Sequence, residues 1–118
     1  MRQVIIILIV ICVCCVIEWI REICTFKITH YHIKTNKLKN LQQEIKVVHL
    51  SDLHNNCYGK NNEKLLRAIE SEKPDYILVS GDMLLGKPGA PAKIASDFMS
   101  QLPKICDVYH ANGNHEQR

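Results

Sequence analysis

Polar side chains that could bind metal ions follow three apolar stretches of the sequence. The clusters are Ser51-Asp52-Leu53-His54, Ser80-Gly81-Asp82 and Asn112-Gly113-Asn114-His115-Glu116. Carboxylate, imidazole and amide groups together suit iron, manganese or zinc better than calcium or a thiolate-bound structural zinc. The residue types therefore predict a metal site, provided that the fold brings the three clusters together.

The chemistry that such a site would perform depends on how the ions are shared. A carboxylate has two oxygens, so Asp82 could bridge two ions, and ions about 3.5–4 Å apart clamp a phosphate and lower the pKa of a bound water. His115 could then donate a proton to the leaving oxygen. Taken singly, Asp52 could be a turn residue and Asn114 a turn partner of Gly113. The three clusters in one chain favour the metal site.

The elements that must position these clusters follow from the hydrophobic pattern. Strand-like stretches lie at 45–50, 75–82 and 105–115, and helical patterns lie at 61–73, where Asn61 or Asn62 could cap, and between Pro91 and Pro103, after a loop at 86–90. This alternation predicts an α/β fold of βαβ units, with a parallel sheet covered on both faces. Parallel strands place their carboxyl ends at one edge, where such folds bind ligands.

The N-terminus carries an apolar run from Val4 to Ile17, preceded by Arg2. With Trp19 and Ile20 the run reaches about 17 residues, the lower limit for a membrane span. We predict a single-pass transmembrane signal anchor over residues 1–23. A cleaved signal peptide is the alternative, but no cleavage site of small residues follows the run. The positive-inside rule gives no firm orientation, and by analogy with signal anchors we expect the remaining chain on the extracytoplasmic side.

Residues 24–44 are predicted to form a strand pair and a connector, because TFKITHYHIK (25–34) alternates and TNKLKN (35–40) has turn residues. A domain over residues 45–118 follows. The net charge of +3 is too small and dispersed for a basic nucleic-acid surface, so no nucleic acid is expected as a partner. The cysteines form no disulfide framework, and those within the apolar run would act as small hydrophobic residues.

The motifs S-D-L-H (51–54), G-D (81–82) and G-N-H-E (113–116), in this order after strands, resemble the first three signature blocks of the calcineurin-like metallophosphoesterases. The apolar N-terminus with a short strand pair is similar to the membrane-anchored bacterial branch of that family. The resemblance implies the N-terminal βαβαβ half of a metallophosphoesterase sandwich and a phosphate-ester substrate. It also implies two metal ions (manganese, iron or zinc), with the ligands Asp52 and His54 on one, Asp82 bridging, Asn114 on the other, and His115 as the catalytic residue.

Two departures from the family pattern matter. The family often has an acidic residue three positions after the aspartate of the second block, where this chain has Leu85. Its later histidine ligands, one isolated and two in a Gly-His-x-His block, do not follow. We therefore expect these 118 residues to be the N-terminal part of a longer enzyme that attacks a phosphate ester with a metal-bound hydroxide. The alternative is a catalytically inactive, membrane-anchored interaction module on the same half-fold. A phosphoprotein phosphatase is less well supported by the motifs.

Overall fold

The computed structural model describes residues 1–37, 43–87 and 91–117. It confirms an α/β fold with an apolar N-terminal helix and a parallel sheet. The elements are, in order, helix α1 (Arg2–Cys24), strand β1 (Val47–Leu50), a 3-10 turn (Lys60–Asn62), helix α2 (Glu63–Glu72), strand β2 (Tyr76–Val79), helix α3 (Lys93–Gln101), a second 3-10 turn (Leu102–Lys104) and strand β3 (Asp107–His110).

The three strands form one parallel sheet in the order β1-β2-β3. Val47 pairs with Tyr76 and Tyr76 with Asp107, and the register continues to the carboxyl ends of the strands. Each strand has only four residues, fewer than the apolar stretches predicted, because the chain leaves the extended conformation soon after each strand. Asp52 and Asp82, for example, have φ values of 57° and 55°. All three carboxyl ends therefore lie at one edge.

Both crossover helices pack on the same face of the sheet. Ile69 of α2 and Phe98 of α3 belong to one core with Ile77 and Val79 of β2. The prediction of a sheet covered on both faces is wrong for the described residues. Strands that follow one another in both sequence and space are joined by crossovers of one hand, and these place every helix on the same side.

The opposite face of the sheet, which we call the open face, is exposed and largely apolar in the described chain. It carries Val47, Tyr76, Leu78 and Tyr109, which are between 36% and 59% exposed. The rings of Tyr76 and Tyr109 lie 6.0 Å apart across β2 and β3.

Two helix starts differ from the sequence prediction. Asn62 precedes α2 but makes no side-chain cap. Its Oδ1 instead accepts a hydrogen bond from the backbone N–H of Tyr58 at 2.8 Å, and the residue is fully buried, so it orders the loop before the helix. Helix α3 begins at Lys93, two residues after the predicted Pro91. The predicted loop at 86–90 falls partly outside the described residues.

The strand predicted over 25–34 is absent from the structure. These residues have no regular structure, and among the described residues no backbone hydrogen bond joins them to another strand. An alternating pattern supplies one apolar face, but a strand also needs a partner for its ladder. The connector from Thr25 to residue 37 contacts the domain through side chains instead: Phe26 packs against Tyr58 and His30 contacts Glu72. The turn predicted at 35–40 lies partly outside the described residues.

Candidate metal centre

The loop after β1 lies along the loop after β2. The backbone N–H of Asp52 donates to the carbonyl of Gly81 at 3.2 Å, and that of His54 donates to the carbonyl of Asp82 at 3.0 Å. Asn55 continues the pattern one residue further. These bonds extend the sheet register beyond the strands and hold the first two polar clusters side by side.

Backbone strain is concentrated in this region. Asp52, His54 and Asp82 all have left-handed φ values, between 47° and 57°. A left-handed residue other than glycine costs about 1–3 kcal/mol and persists where surrounding contacts fix it. Asparagine and aspartate tolerate this region better than most residues because their short polar side chains bond locally. The Asp82 carboxylate contacts the third cluster, where it accepts from the backbone N–H of His115.

Two glycines allow the second and third clusters to approach. Gly81 has a φ of 97°, and a Cβ atom there would overlap the backbone of Gly113. A Cβ atom on Gly113 would overlap the carboxylate of Asp82. The G-D and G-N-H-E blocks therefore need glycine because their backbones are in direct contact.

Three of the predicted site residues form a compact group. The ligand atoms of His54, Asp82 and His115 all lie within 4.8 Å of one another, and each residue is half-buried. The two imidazole rings meet edge to face with their centroids 4.8 Å apart. The backbone N–H of His115 donates to Oδ1 of Asp82 at 3.0 Å. One carboxylate and two imidazoles thus converge on one small volume.

The other two predicted residues lie at the margins of this group. Asp52 is mostly exposed, and its Oδ1 lies 3.6 Å from Nε2 of His54. The side-chain amide of Asn114 faces Asp82 and, with its nitrogen toward the carboxylate, donates to the two oxygens at 2.8 and 2.9 Å. With its oxygen toward the carboxylate, the same amide would need a cation between the three oxygens. All five predicted residues therefore meet at one edge of the sheet.

Backbone carbonyls orient both imidazoles. Nδ1 of His54 lies 3.3 Å from the carbonyl oxygen of Leu84, and Nδ1 of His115 lies 3.0 Å from that of Leu85. A carbonyl only accepts, so each ring carries its proton on Nδ1 and leaves Nε2 free to bind an ion or exchange a proton. The acceptor at position 85 is a backbone carbonyl, which is present whichever side chain stands there.

Glu116 has a role that the sequence analysis did not assign. Its Oε1 accepts from the N–H groups of Met83 and Leu84 at 2.6 and 3.1 Å, and its Oε2 accepts from those of Asp82 and Gly113, both at 2.8 Å. Burial raises the pKa of Glu116, but these backbone donors outweigh it and lower the pKa to about 2. The residue joins the loops after β2 and β3. In the sequence, the feature that could have indicated this role is the position of Glu116 at the end of the G-N-H-E motif.

The donor set fits divalent metal ions of borderline hardness. Two imidazoles, two carboxylates and one amide oxygen are available, with no thiolate among them. Such mixtures suit zinc, iron or manganese. The Nδ1 hydrogen bonds to backbone carbonyls are the outer-shell contacts that ligating histidines usually make.

Comparison with known proteins agrees with this centre. The family model of the calcineurin-like phosphoesterases matches residues 45–118, so the chain belongs to that family. It is also similar to the uncharacterized metallophosphoesterase Cj0846 of Campylobacter jejuni, with 28% identity over 85 residues. That match covers 68% of this chain and 22% of the relative, so the chain spans about a fifth of that relative's length. No solved structure matches the chain significantly.

Membership of this family supports a hydrolase of the phosphoesterase type, and the family uses divalent metal ions. The match begins at the residue where the first strand-like stretch was predicted and includes all three polar clusters. The resemblance drawn from the S-D-L-H, G-D and G-N-H-E motifs is thereby confirmed at the level of the family.

Proposed function

We propose that the protein hydrolyses a phosphate ester with two metal ions (manganese, iron or zinc) held at the carboxyl edge of the sheet. The observation that carries the proposal is the convergence of His54, Asp82 and His115 within 4.8 Å in a chain of this family. In this proposal Asp52 and His54 would hold one ion, Asn114 would hold the other, and Asp82 would contribute to both. When bound, the ions would supply an activated water and withdraw charge from the phosphate.

The chain's own residues orient the reaction. Glu116 fixes the backbone of Asp82 and Gly113, and so holds the bridging carboxylate at a set distance from the third cluster. The carbonyl of Leu85 holds one proton on Nδ1 of His115, so Nε2 is the atom that takes up a second proton and, from the resulting imidazolium, donates it to the leaving oxygen. Positioned groups of this kind contribute about 10²–10⁴-fold to a rate.

Replacement of Asp82 by asparagine tests the proposal. Since this change removes one charge and the bridging capacity, we expect the Mn²⁺-dependent hydrolysis of bis(4-nitrophenyl) phosphate to fall at least about 100-fold. Asp97→Asn is the matched control, because Asp97 lies on the exposed side of α3, where its carboxylate pairs with Lys93 at 3.0 Å. Metal content, measured on both variants by mass spectrometry, should fall for Asp82→Asn alone. Full activity of Asp82→Asn would refute the assignment.

A second candidate is a catalytically inactive, membrane-anchored interaction module. The open face favours it, since large exposed apolar patches mark interaction sites. This candidate predicts no hydrolysis of either phosphate monoesters or diesters by the complete protein with Mn²⁺, Fe²⁺ or Zn²⁺ present. If the complete protein hydrolyses one such substrate and the Asp82→Asn variant does not, the protein is an enzyme and the interaction-module candidate is refuted.

We also propose that α1 anchors the protein in a membrane as a single span, with the domain on the extracytoplasmic side. The helix has 23 residues, is long and apolar enough to cross a membrane and buries none of its residues against the domain. At about 1.5 Å per residue it measures about 35 Å, enough to cross the hydrocarbon core of a bilayer, which is about 30 Å thick. A signal sequence meets the same criteria.

Two measurements test this anchor. The N-terminal sequence of the native protein should begin at or near Met1, whereas a cleaved signal peptide would leave a new N-terminus beyond the apolar run. Protease added to intact cells or spheroplasts should digest the domain if it lies outside. Digestion only after lysis would reverse the proposed orientation.

A further inference from the structure

The connector between α1 and β1 contacts the domain at positions that indicate which class of substrate the protein binds. From these contacts we infer that the metal centre faces the membrane surface and acts on a phosphate ester in the headgroup of a membrane lipid. The inference rests on the proposed phosphoesterase function and on the anchor. It adds that the anchor fixes the height and the direction of the active edge.

The end of α1 determines where the domain begins relative to the bilayer surface. The apolar run ends near Glu18, whose carboxylate pairs with Arg21 at 2.9 Å, and charged and tryptophan residues of this kind sit at the bilayer surface. The helix ends at Cys24, and Thr25 continues in an extended conformation. With a rise of about 1.5 Å per helical and about 3.4 Å per extended residue, Phe26 lies only about 11 Å beyond Arg21.

Phe26, near the end of α1, contacts the loop that follows β1. Its ring packs edge to face against that of Tyr58, with the centroids 5.1 Å apart. Tyr58 belongs to the loop that leaves the carboxyl end of β1 and carries Asp52 and His54. An aromatic pair of this geometry is held by attraction between the rings in addition to the apolar area that it buries. The edge of the sheet that bears the metal centre is therefore attached beside the end of the anchor.

Further along the connector, His30 contacts the end of α2. His30, four residues after Phe26, contacts Glu72 at 3.1 Å, at the last residue of α2. Lys46, directly before β1, approaches the same carboxylate at 3.8 Å. The segment 26–30 thus runs along α2 from the carboxyl edge of the sheet to the amino edge. These two contacts fix a direction: the amino edge lies far from the end of α1, and the carboxyl edge lies near it.

Charge at the active edge agrees with an anionic headgroup. Lys60 is exposed and lies two residues after Tyr58. Lys87 is exposed as well and follows Gly86, whose backbone lies so close to His115 that a Cβ atom there would overlap the imidazole. Lysines beside a bilayer surface attract anionic headgroups. An enzyme held in this way meets lipid phosphates at a high effective concentration.

The test compares two esters with the same leaving group. The complete protein is reconstituted in phosphatidylcholine vesicles with Mn²⁺ and receives either methyl 4-nitrophenyl phosphate in solution or hexadecyl 4-nitrophenyl phosphate in the membrane. Both release 4-nitrophenolate by the same cleavage of a P–O bond by water. At equal bulk concentration we expect the membrane ester to react at least about 10-fold faster, because of its effective concentration.

Phe26→Ala should remove this preference by releasing the active edge from the anchor. We expect the ratio of the two rates to fall at least about 5-fold, toward that of an untethered site, while the rate on the methyl ester stays unchanged. Tyr31→Ala is the matched control: it removes an aromatic ring from the same connector, but Tyr31 is 82% exposed, so the ratio should stay at its original value.

The outcomes separate the two proposals. If the protein hydrolyses neither ester, nor the monoester 4-nitrophenyl phosphate, the proposed function fails. If it hydrolyses both equally and Phe26→Ala changes nothing, the function stands and the lipid substrate is refuted. If Phe26→Ala lowers both rates alike, a second variant decides between the possibilities. In this variant the four residues Gly-Ser-Gly-Ser are inserted after Cys24, which moves the domain up to about 13 Å from the membrane and leaves the Phe26–Tyr58 contact intact. An unchanged preference in that variant would overturn the inference.

Discussion

Helix α1 and the metal centre form in opposite ways. The hydrogen bonds of α1 are local, such as those from Arg21 to Glu18 and from Thr25 to the carbonyl of Arg21, and none of its residues is buried. At the metal centre, Glu116 and His115 bond to residues that are 30 to 34 positions away. The helix is specified by its own residues, whereas the centre exists only after three strands have assembled.

This difference predicts where substitutions act. A change at the centre alters contacts between loops and should destabilise the domain, while a change on α1 should leave the domain as it is. Each of the following predictions tests one side of the comparison. Stability is measured in detergent by denaturation in the presence of a chelator, so that bound metal does not contribute.

Gly81→Ala should have the largest effect. A methyl group there is forced against the backbone of Gly113 while φ stays at 97°, and backbone cannot move aside as a flexible side chain does. Overpacking and left-handed strain together should lower the free energy of unfolding by about 2–5 kcal/mol.

Gly59→Ala is the control for backbone conformation alone. Gly59 also has a positive φ, of 80°, but an added Cβ atom would meet only the flexible side chains of Lys64 and Glu63. We expect a loss of about 1–2 kcal/mol. Equal losses for the two variants would mean that the contact between Gly81 and Gly113 is not a constraint.

Glu116→Gln should come next. The carboxylate accepts from four backbone N–H groups, whereas a glutamine amide turns an NH₂ group toward two of them. We expect a loss of about 2 kcal/mol, the range of a hydrogen bond to a charged group. In Glu63→Gln the lost partner is the exposed Arg67 at 3.5 Å, and the change should stay below about 0.5 kcal/mol. If Glu116→Gln also lowers the free energy of unfolding by less than about 0.5 kcal/mol, the proposed role of Glu116 is wrong.

The same residue predicts a dependence on pH. The folded pKa of Glu116 lies at about 2, below its ordinary value of 4.5, so between these values the unfolded state binds more protons than the folded state. Its stabilising contribution is complete above about pH 5 and is lost as pH falls toward 2. The difference in stability between the protein and Glu116→Gln should therefore shrink over this window. A difference that is constant from pH 5 to 2 would contradict the lowered pKa.

Ile9→Arg should have the smallest effect on the domain. Ile9 is 57% exposed and lies within the apolar run of α1, so the change should alter domain stability by less than about 0.5 kcal/mol. Its effect on membrane insertion should be much larger, about 3 kcal/mol at the centre of a spanning helix. The measurements are the unfolding midpoint in detergent and the fraction that sediments with membranes, with Ile9→Leu as the control. A clear fall of the midpoint would show that α1 packs on the domain.

Much of this fold could be predicted from periodicity. The alternation of strands and helices gave the parallel sheet, and the polar clusters after the strands identified the edge where His54, Asp82 and His115 meet. Two predictions failed because they concern partners and not patterns. The segment 25–34 alternates but has no ladder among the described residues, and the open face became apparent only when both helices were found on one side.

Within the site, residue types could be predicted but their supports could not. The motifs name the side chains that could bind metal, yet nothing in the sequence shows that the carbonyls of Leu84 and Leu85 accept from the two imidazoles. The same holds for Glu116, which contacts four amides on two loops. Backbone groups are present at every position, so only the tertiary structure determines which of them a side chain reaches.

The sequence by itself determined the apolar helix, the order of the strands and helices after residue 45 and the chemistry of the ligands, because each follows from the residues of one short segment. The tertiary structure alone decided that Gly81 touches Gly113, that Glu116 joins two loops, and that Phe26 lies against Tyr58. The contacts of Gly81 with Gly113, of Glu116 with Asp82 and of Phe26 with Tyr58 join residues that are 32 to 34 positions apart. Their free energy depends on the distance between segments, and that distance is set by how the strands pair and the helices pack.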